Sequence, residues 1–274
     1  MSALSALGTT AAGPWSIPRV CPGISWRRLR KAAALVRSRR FRRGLRHGVA
    51  AAIEHRHLAA LAARTVIDVG AHRGQFSLLA LELFPAARVF AFEPLAGPRA
   101  HCCAALAGEA RLTVVPAALG RSAAERPMFV AACDDCSSLL PPAPETLHLM
   151  PQACQTDVET VRVLRLEDVI TPDQLVRPAL LKIDVQGFEG EVLEGAGRLL
   201  EHLDAVYLEA SFRELYFSQP LAGELIAYLA ERGFALDGVY NPLCDATGRA
   251  LQADLDFRRV RHGPAARHRH GQSR

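Results

Sequence analysis

Thr65-Val66-Ile67-Asp68-Val69-Gly70-Ala71-His72-Arg73-Gly74 runs from an apolar β-type segment, through an acid and a glycine, into a helical pattern at 75–84 that Pro85 stops. A short strand that turns at once into a helix is the opening unit of a doubly wound α/β sheet. Downstream, 88–92 reads as a second strand ending at Glu93-Pro94, 98–107 as a helix and 112–115 as a third strand. The alternation resumes with a strand at 180–183 that ends at Asp184, a helix at 189–202 and a strand at 205–208 that ends at Glu209. A helix at 221–232, stopped by Gly233, precedes strands at 234–240 and 255–260 that suit an antiparallel edge pair. The pattern predicts a mostly parallel, doubly wound seven-stranded sheet. Residues 120–160 lose periodicity: 128–132 reads as a strand and 137–153 as Pro-rich loop, and a further strand fits 161–166.

In such sheets ligands bind beyond the carboxyl ends of the strands, where strand order reverses. Asp68, Gly70, Glu93, Asp184 and Glu209 are therefore the residues to weigh. A dinucleotide turn needs Gly-x-Gly-x-x-Gly; laid on this chain those positions are Gly70, His72 and Gln75, so two glycines are missing. The lysine and hydroxyl of a phosphate-binding loop are absent as well. A nucleotide ligand without phosphates escapes both demands, and S-adenosylmethionine is one. Glu93, 23 residues after Gly70, is placed to accept hydrogen bonds from both hydroxyls of a ribose.

Val66 to Gly74, Phe92-Glu93-Pro94 and Leu181-Lys182-Ile183-Asp184-Val185-Gln186-Gly187-Phe188-Glu189 together resemble the FkbM-type methyltransferases. So do Glu209-Ala210-Ser211-Phe212 with Leu215-Tyr216, and Leu229-Ala230-Glu231-Arg232-Gly233-Phe234. The resemblance runs in order from about 65 to 257. It implies a class I methyltransferase (Rossmann-like) fold, S-adenosylmethionine as donor, and O-methylation of a hydroxyl on a sugar, glycan or natural product. On that resemblance Asp68, Gly70 and Gly74 belong to the methionine side of the donor and Glu93 to its ribose, with Ala71 and Ala117 grouped among the donor-binding residues. His72 stands where the family commonly has Asn.

Transfer from a sulfonium is an in-line displacement, so the protein mainly aligns the acceptor oxygen and supplies a base. Asp184, ending the central strand, leads for that role, followed by Glu209 and His72. Asp184 with Glu209 is alternatively a carboxylate pair for a divalent cation. Lys182 has two readings, pairing with an acid such as Glu189 or lying along the sheet edge. Residues 134–138 suit an acceptor lid, and Tyr216 and Phe217 suit either acceptor contact or packing.

Of 33 basic residues, eleven fall in 1–50 and six in 258–274, and neither stretch holds an acid. The central part thus has 16 bases against all 28 acids, which argues against a nucleic-acid groove on the fold itself. An RNA methyltransferase using the basic ends, a Rossmann oxidoreductase and a silent binding protein are the rival classes. The chain divides into a flexible leader (1–25), a basic helical extension (26–60), the methyltransferase domain (61–260) and a basic disordered tail (261–274). The extension suits a packing helix, contact with an anionic surface or a targeting segment. No apolar run approaches the roughly 20 residues of a membrane span. The composition suits a cytoplasmic protein, with organellar import left open. Cys133-Asp134-Asp135-Cys136 has the spacing of half a zinc site, and no second Cys-x-x-Cys or His pair completes it.

Overall fold

β1 (Thr65–Val69) is apolar but for Thr65 and Asp68, and all five residues are buried because strands lie on both sides of it and layers cover both faces. A computed structural model describes residues 35–260. The leader, the tail and the start of the basic extension lie outside the described residues.

β1 pairs in parallel with β2 (Arg88–Phe92) on one side, and β2 with β3 (Leu112–Val115). On the other side it pairs in parallel with β7 (Ala179–Ile183), followed by β8 (Ala205–Ser211). β10 (Ala250–Arg259) is antiparallel to β8, and β9 (Phe234–Cys244) forms the edge. The order β3-β2-β1-β7-β8-β10-β9 is the doubly wound sheet with an antiparallel edge pair that the sequence predicts. Its winding reverses between β1 and β7, so their carboxyl ends open a crevice.

Alternate residues of β1 face opposite layers. Ile67 and Val69 pack with α6 (Glu189–Ala196) and α7 (Ala222–Glu231); Val66 packs with α2 (Gln75–Leu83) and α3 (Ala96–Ala105). Burying each such side chain stabilises the fold by about 1.5–3 kcal/mol. The second layer also takes in residues before β1. Phe41 of α1 (Arg39–Arg46), Val49, Ile53 and Leu58 belong to the same core as Leu78 and Leu180, whereas Val36 and Leu45 are exposed. Ser38 caps α1 by accepting from the Arg40 and Phe41 amides. Arg40 donates to Glu82 and Glu109. Residues 39–58 thus pack into the layer formed by α2 and α3.

Residues 118–164 differ from their sequence reading. β5 (Ala124–Ala131) and β6 (Gln155–Leu164) extend beyond the expected strands and, with β4 (Ala118–Leu119), form a separate three-stranded sheet. The expected loop holds α4 (Pro144–Leu149), which begins on proline, where no amide is needed, and α5 (Leu166–Val169) follows β6. The helix expected over 189–202 is α6 followed by a 3-10 turn. The change falls at Gly197, φ +49°, whose missing Cβ makes room for the Glu167 carboxylate.

Candidate active site

A cavity of about 370 Å³ lies at the carboxyl ends of β1, β2 and β7, roofed by the second sheet and by residues before β1. Its floor is the turn after β1. Gly70 has φ +74°, and a Cβ there would lie 1.8 Å from the Asp184 carbonyl oxygen, so only glycine lets the two strand-end turns meet. The Gly70 and Ala71 amides donate to the Phe92 carbonyl. His72 is left-handed, φ +50°, and Gly74, φ +89°, packs against Cys102, where a Cβ would approach Sγ to 2.8 Å.

Asp68 lies beneath this turn, fully buried. Its Oδ2 accepts from the Ser77 hydroxyl at 2.7 Å, and its Oδ1 is 3.2 Å from Lys182 Nζ. Lys182 also donates to the Gly70 carbonyl at 3.1 Å and sits 3.6 Å from Asp184. Burial disfavours the ammonium, but Asp68 and Asp184 more than reverse this and hold its pKa above the usual lysine value. Lys182 therefore pairs with Asp68, not with Glu189 and not along an exposed edge. Glu189 Oε1 instead accepts from the Val185 and Gly187 amides, shaping the turn after β7.

Glu93 is buried, and each carboxylate oxygen takes one backbone amide: Oε2 from His72 at 2.8 Å, Oε1 from Leu95 at 2.9 Å. Burial lifts its pKa to about 7 despite these bonds. Each oxygen keeps acceptor capacity, and Glu93 lines the cavity.

Asp184 lines the cavity too; Glu209 lies behind it. Gln186, left-handed at φ +56°, sets its amide nitrogen between the two acids, 3.1 Å from Asp184 Oδ1 and 2.8 Å from Glu209 Oε2. Gln252 donates to the same Glu209 oxygen at 2.9 Å. Burial, then Asp184 and Asp254, raise the Glu209 pKa well above the carboxylate range. The Gln186 amide nitrogen thus bridges the two carboxylates that the sequence reading paired. Tyr216 is packed rather than presented to the cavity, its hydroxyl 2.9 Å from both Gln186 Oε1 and the Cys136 carbonyl. Phe217 is exposed on the surface.

The roof contributes a residue that the sequence reading missed. His55 lines the cavity from a 3-10 segment (Ile53–Leu61), with its Nδ1 2.8 Å from the Tyr207 hydroxyl and 3.5 Å from Asp254 Oδ2. Burial lowers its pKa, outweighing Asp254 and Glu54, so the imidazole is neutral at pH 7. Nothing in Ile53-Glu54-His55-Arg56-His57 forms a recognisable motif; a lone histidine upstream of a strand–turn is the only trace. Among the predicted residues, Gly70, Ala71, His72, Glu93 and Asp184 line the cavity, together with Asp135 and Ser137 of the expected lid. Asp68, Gly74, Ala117 and Glu209 do not; they support its walls.

The geometry is that of a small-molecule pocket at a switch point, and comparison with known proteins decides its kind. Residues 68–236 match the model of the methyltransferase FkbM domain. The chain belongs to the FkbM methyltransferase family. S-adenosylmethionine is the cofactor of this family. A curated relative, the 31-O-demethyl-FK506 methyltransferase FkbM of Streptomyces tacrolimicus, is 30% identical over 212 residues, covering 66% of this chain and 76% of its own length. Similar solved structures include an rRNA methylase from Streptococcus thermophilus (TM-score 0.42, 13% identical, 76% of this chain and 95% of that one). Another is a precorrin-6y C5,15-methyltransferase from Geobacter metallireducens (TM-score 0.40, 14% identical, 76% and 88%). The fold is the class I methyltransferase fold, and no helix among the described residues is long and apolar enough to cross a membrane.

Proposed function

We propose that this FkbM-family methyltransferase places the donor's methyl group on a hydroxyl oxygen of a small natural product or sugar. The observation that carries the reading is His55. A neutral imidazole, hydrogen-bonded through Nδ1 to Tyr207, lines the same cavity as the glycine turn and the Glu93 carboxylate. The related enzyme whose name specifies a 31-O-demethyl compound supports oxygen as the atom methylated.

The residues present fit the donor. Gly70 and Ala71 bring backbone, without a large side chain, to the methionine end, and the Glu93 carboxylate accepts from the ribose hydroxyls. Ala117, buried between β3 and β4, backs the donor side. Asp68 and Gly74 act through the turn they hold. S-adenosylmethionine supplies an electrophilic methyl carbon. An acceptor hydroxyl placed against His55 would give its proton to Nε2 as its oxygen took the methyl and the sulfur–methyl bond broke, leaving S-adenosylhomocysteine; Asp254 would stabilise the resulting imidazolium. Asp184, fixed by the Gln186 amide, orients the acceptor rather than removing its proton. A cavity of this size suits a small acceptor better than a nucleic acid.

Calorimetric titration with S-adenosylmethionine tests the donor half. Saturable binding by the full chain, lost or much weakened in Glu93→Ala, is expected; absence of binding by the folded protein overturns it. Donor labelled with ¹³C in its methyl group, offered with 31-O-demethyl-FK506, macrolide alcohols and monosaccharides, tests the acceptor half. An O-methyl carbon resonance supports the reading. Label that accumulates in amines or RNA and never in these alcohols overturns it.

A further inference from the structure

The turn after β5 carries chemistry that methyl transfer does not use. Cys133, Asp135 and Cys136 each present one ligand atom, and these atoms lie within 4.8 Å of one another. The Cys133 thiol donates to Asp135 Oδ1 at 2.6 Å. The sequence spacing offered two thiols only; a 3-10 turn over Asp134–Cys136 adds the carboxylate as a third ligand.

A tetrahedral Zn²⁺, bonded at about 2.3 Å to sulfur and 2.0–2.2 Å to oxygen, sets its ligand atoms roughly 3.5–3.8 Å apart. The three ligand atoms, all within 4.8 Å of one another, are close enough to converge on one such ion. Two thiolates with one carboxylate favour zinc-class ions over magnesium or calcium, which prefer oxygen alone. The turn is also held at both ends before any ion arrives. Cys136 N donates to the Cys133 carbonyl at 2.9 Å, and Cys133 N to the Gln152 carbonyl at 3.0 Å. The Ser137 hydroxyl accepts from Ala131 N at 3.1 Å, across the turn.

We propose that Cys133, Asp135 and Cys136 bind one zinc-class divalent ion, with water in the fourth position. Binding forms two sulfur–metal bonds and one oxygen–metal bond; the two thiol protons pass to solvent, and nothing is oxidised or reduced. Because Asp135 and Ser137 line the cavity, the ion would fix one wall of the acceptor space. The site does not depend on which atom is methylated.

The test uses the full chain, reduced and freed of metal, titrated with Co²⁺ and then Zn²⁺. One equivalent of Co²⁺ should give sulfur-to-cobalt charge-transfer absorption, which one equivalent of Zn²⁺ displaces. Sulfur ligation separates this signal from binding by His268 and His270 of the tail, which gives no such band. Cys133→Ser and Cys136→Ser should each lose the band, and Asp135→Asn should weaken binding, while donor affinity shows that each variant is folded. Absence of a stoichiometric thiolate band in the reduced wild type, or a band that survives in the Cys133→Ser/Cys136→Ser double variant, overturns the proposal.

Discussion

Gly70 and Asp184 meet across the switch point so closely that the space a Cβ would need at residue 70 is already taken by the Asp184 carbonyl. The contact joins the turn after β1 to the turn after β7, and the cavity floor exists because of it. Gly70→Ala must adopt φ +74° and displace backbone. The expected cost is about 3 kcal/mol or more, which would show in urea denaturation as a lower midpoint at unchanged slope. A midpoint within error of wild type would show that the two turns are not rigidly opposed.

Lys182 and Asp68 form a buried pair, so removing one partner strands the other. Lys182→Met should destabilise the fold by about 3–5 kcal/mol, and adding Asp68→Asn should restore much of that loss. A double variant no more stable than Lys182→Met would deny the pairing energetic weight.

His55 predicts a separation of binding from turnover. His55→Asn keeps a polar group of similar reach, and donor affinity should stay within about twofold while methylation of an accepted alcohol falls by about 10²–10⁴. In the wild type the acid limb of the rate profile should lie below pH 6.5, because burial lowers the His55 pKa from that value, and the limb should vanish in the variant. A variant that turns over like wild type removes His55 from the chemistry.

Glu189 sets a pH dependence of stability. Its carboxyl is raised from 4.5 to about 7 by burial, so the folded state holds a proton that the unfolded chain releases first. That contribution is fully present below pH 4.5 and is lost as pH rises through 7. Glu189→Gln should flatten the decline, gaining up to about 3 kcal/mol on wild type between pH 4.5 and 7.5, read by denaturation across that range. Parallel curves for the two proteins would show that the raised carboxyl does not govern this region.

The strands of the main sheet were legible because burial on both faces leaves continuous apolar runs such as Leu180-Leu181, and because strand ends carry acids. Glu93 and Asp184 were found by that logic, and both line the cavity. The first half of β6 left no such signal: residues 155–160 are solvent-exposed, so only the stretch from 161 read as a strand. Asp68 read as a ligand-facing acid, yet strand alternation turns it to the α2 layer, onto Ser77 and Lys182. His55 was hidden for another reason. Its meaning comes from Tyr207, 152 positions away, and from Asp254 on the next-to-edge strand, and no local pattern encodes a contact of that span.

That span has a consequence for how the enzyme comes into being. Proteins are made from the N-terminus, and the donor turn, Glu93 and β7 all precede the strand that carries Asp254. β10 slots between β8 and β9, inside the sheet, rather than adding to its rim. A ribosome-bound chain that has reached Cys244 already carries Gly70, Glu93 and His55 but lacks Asp254, the acid that stands beside His55. On the proposed role of His55, competence therefore arrives only with the last strand of the described residues.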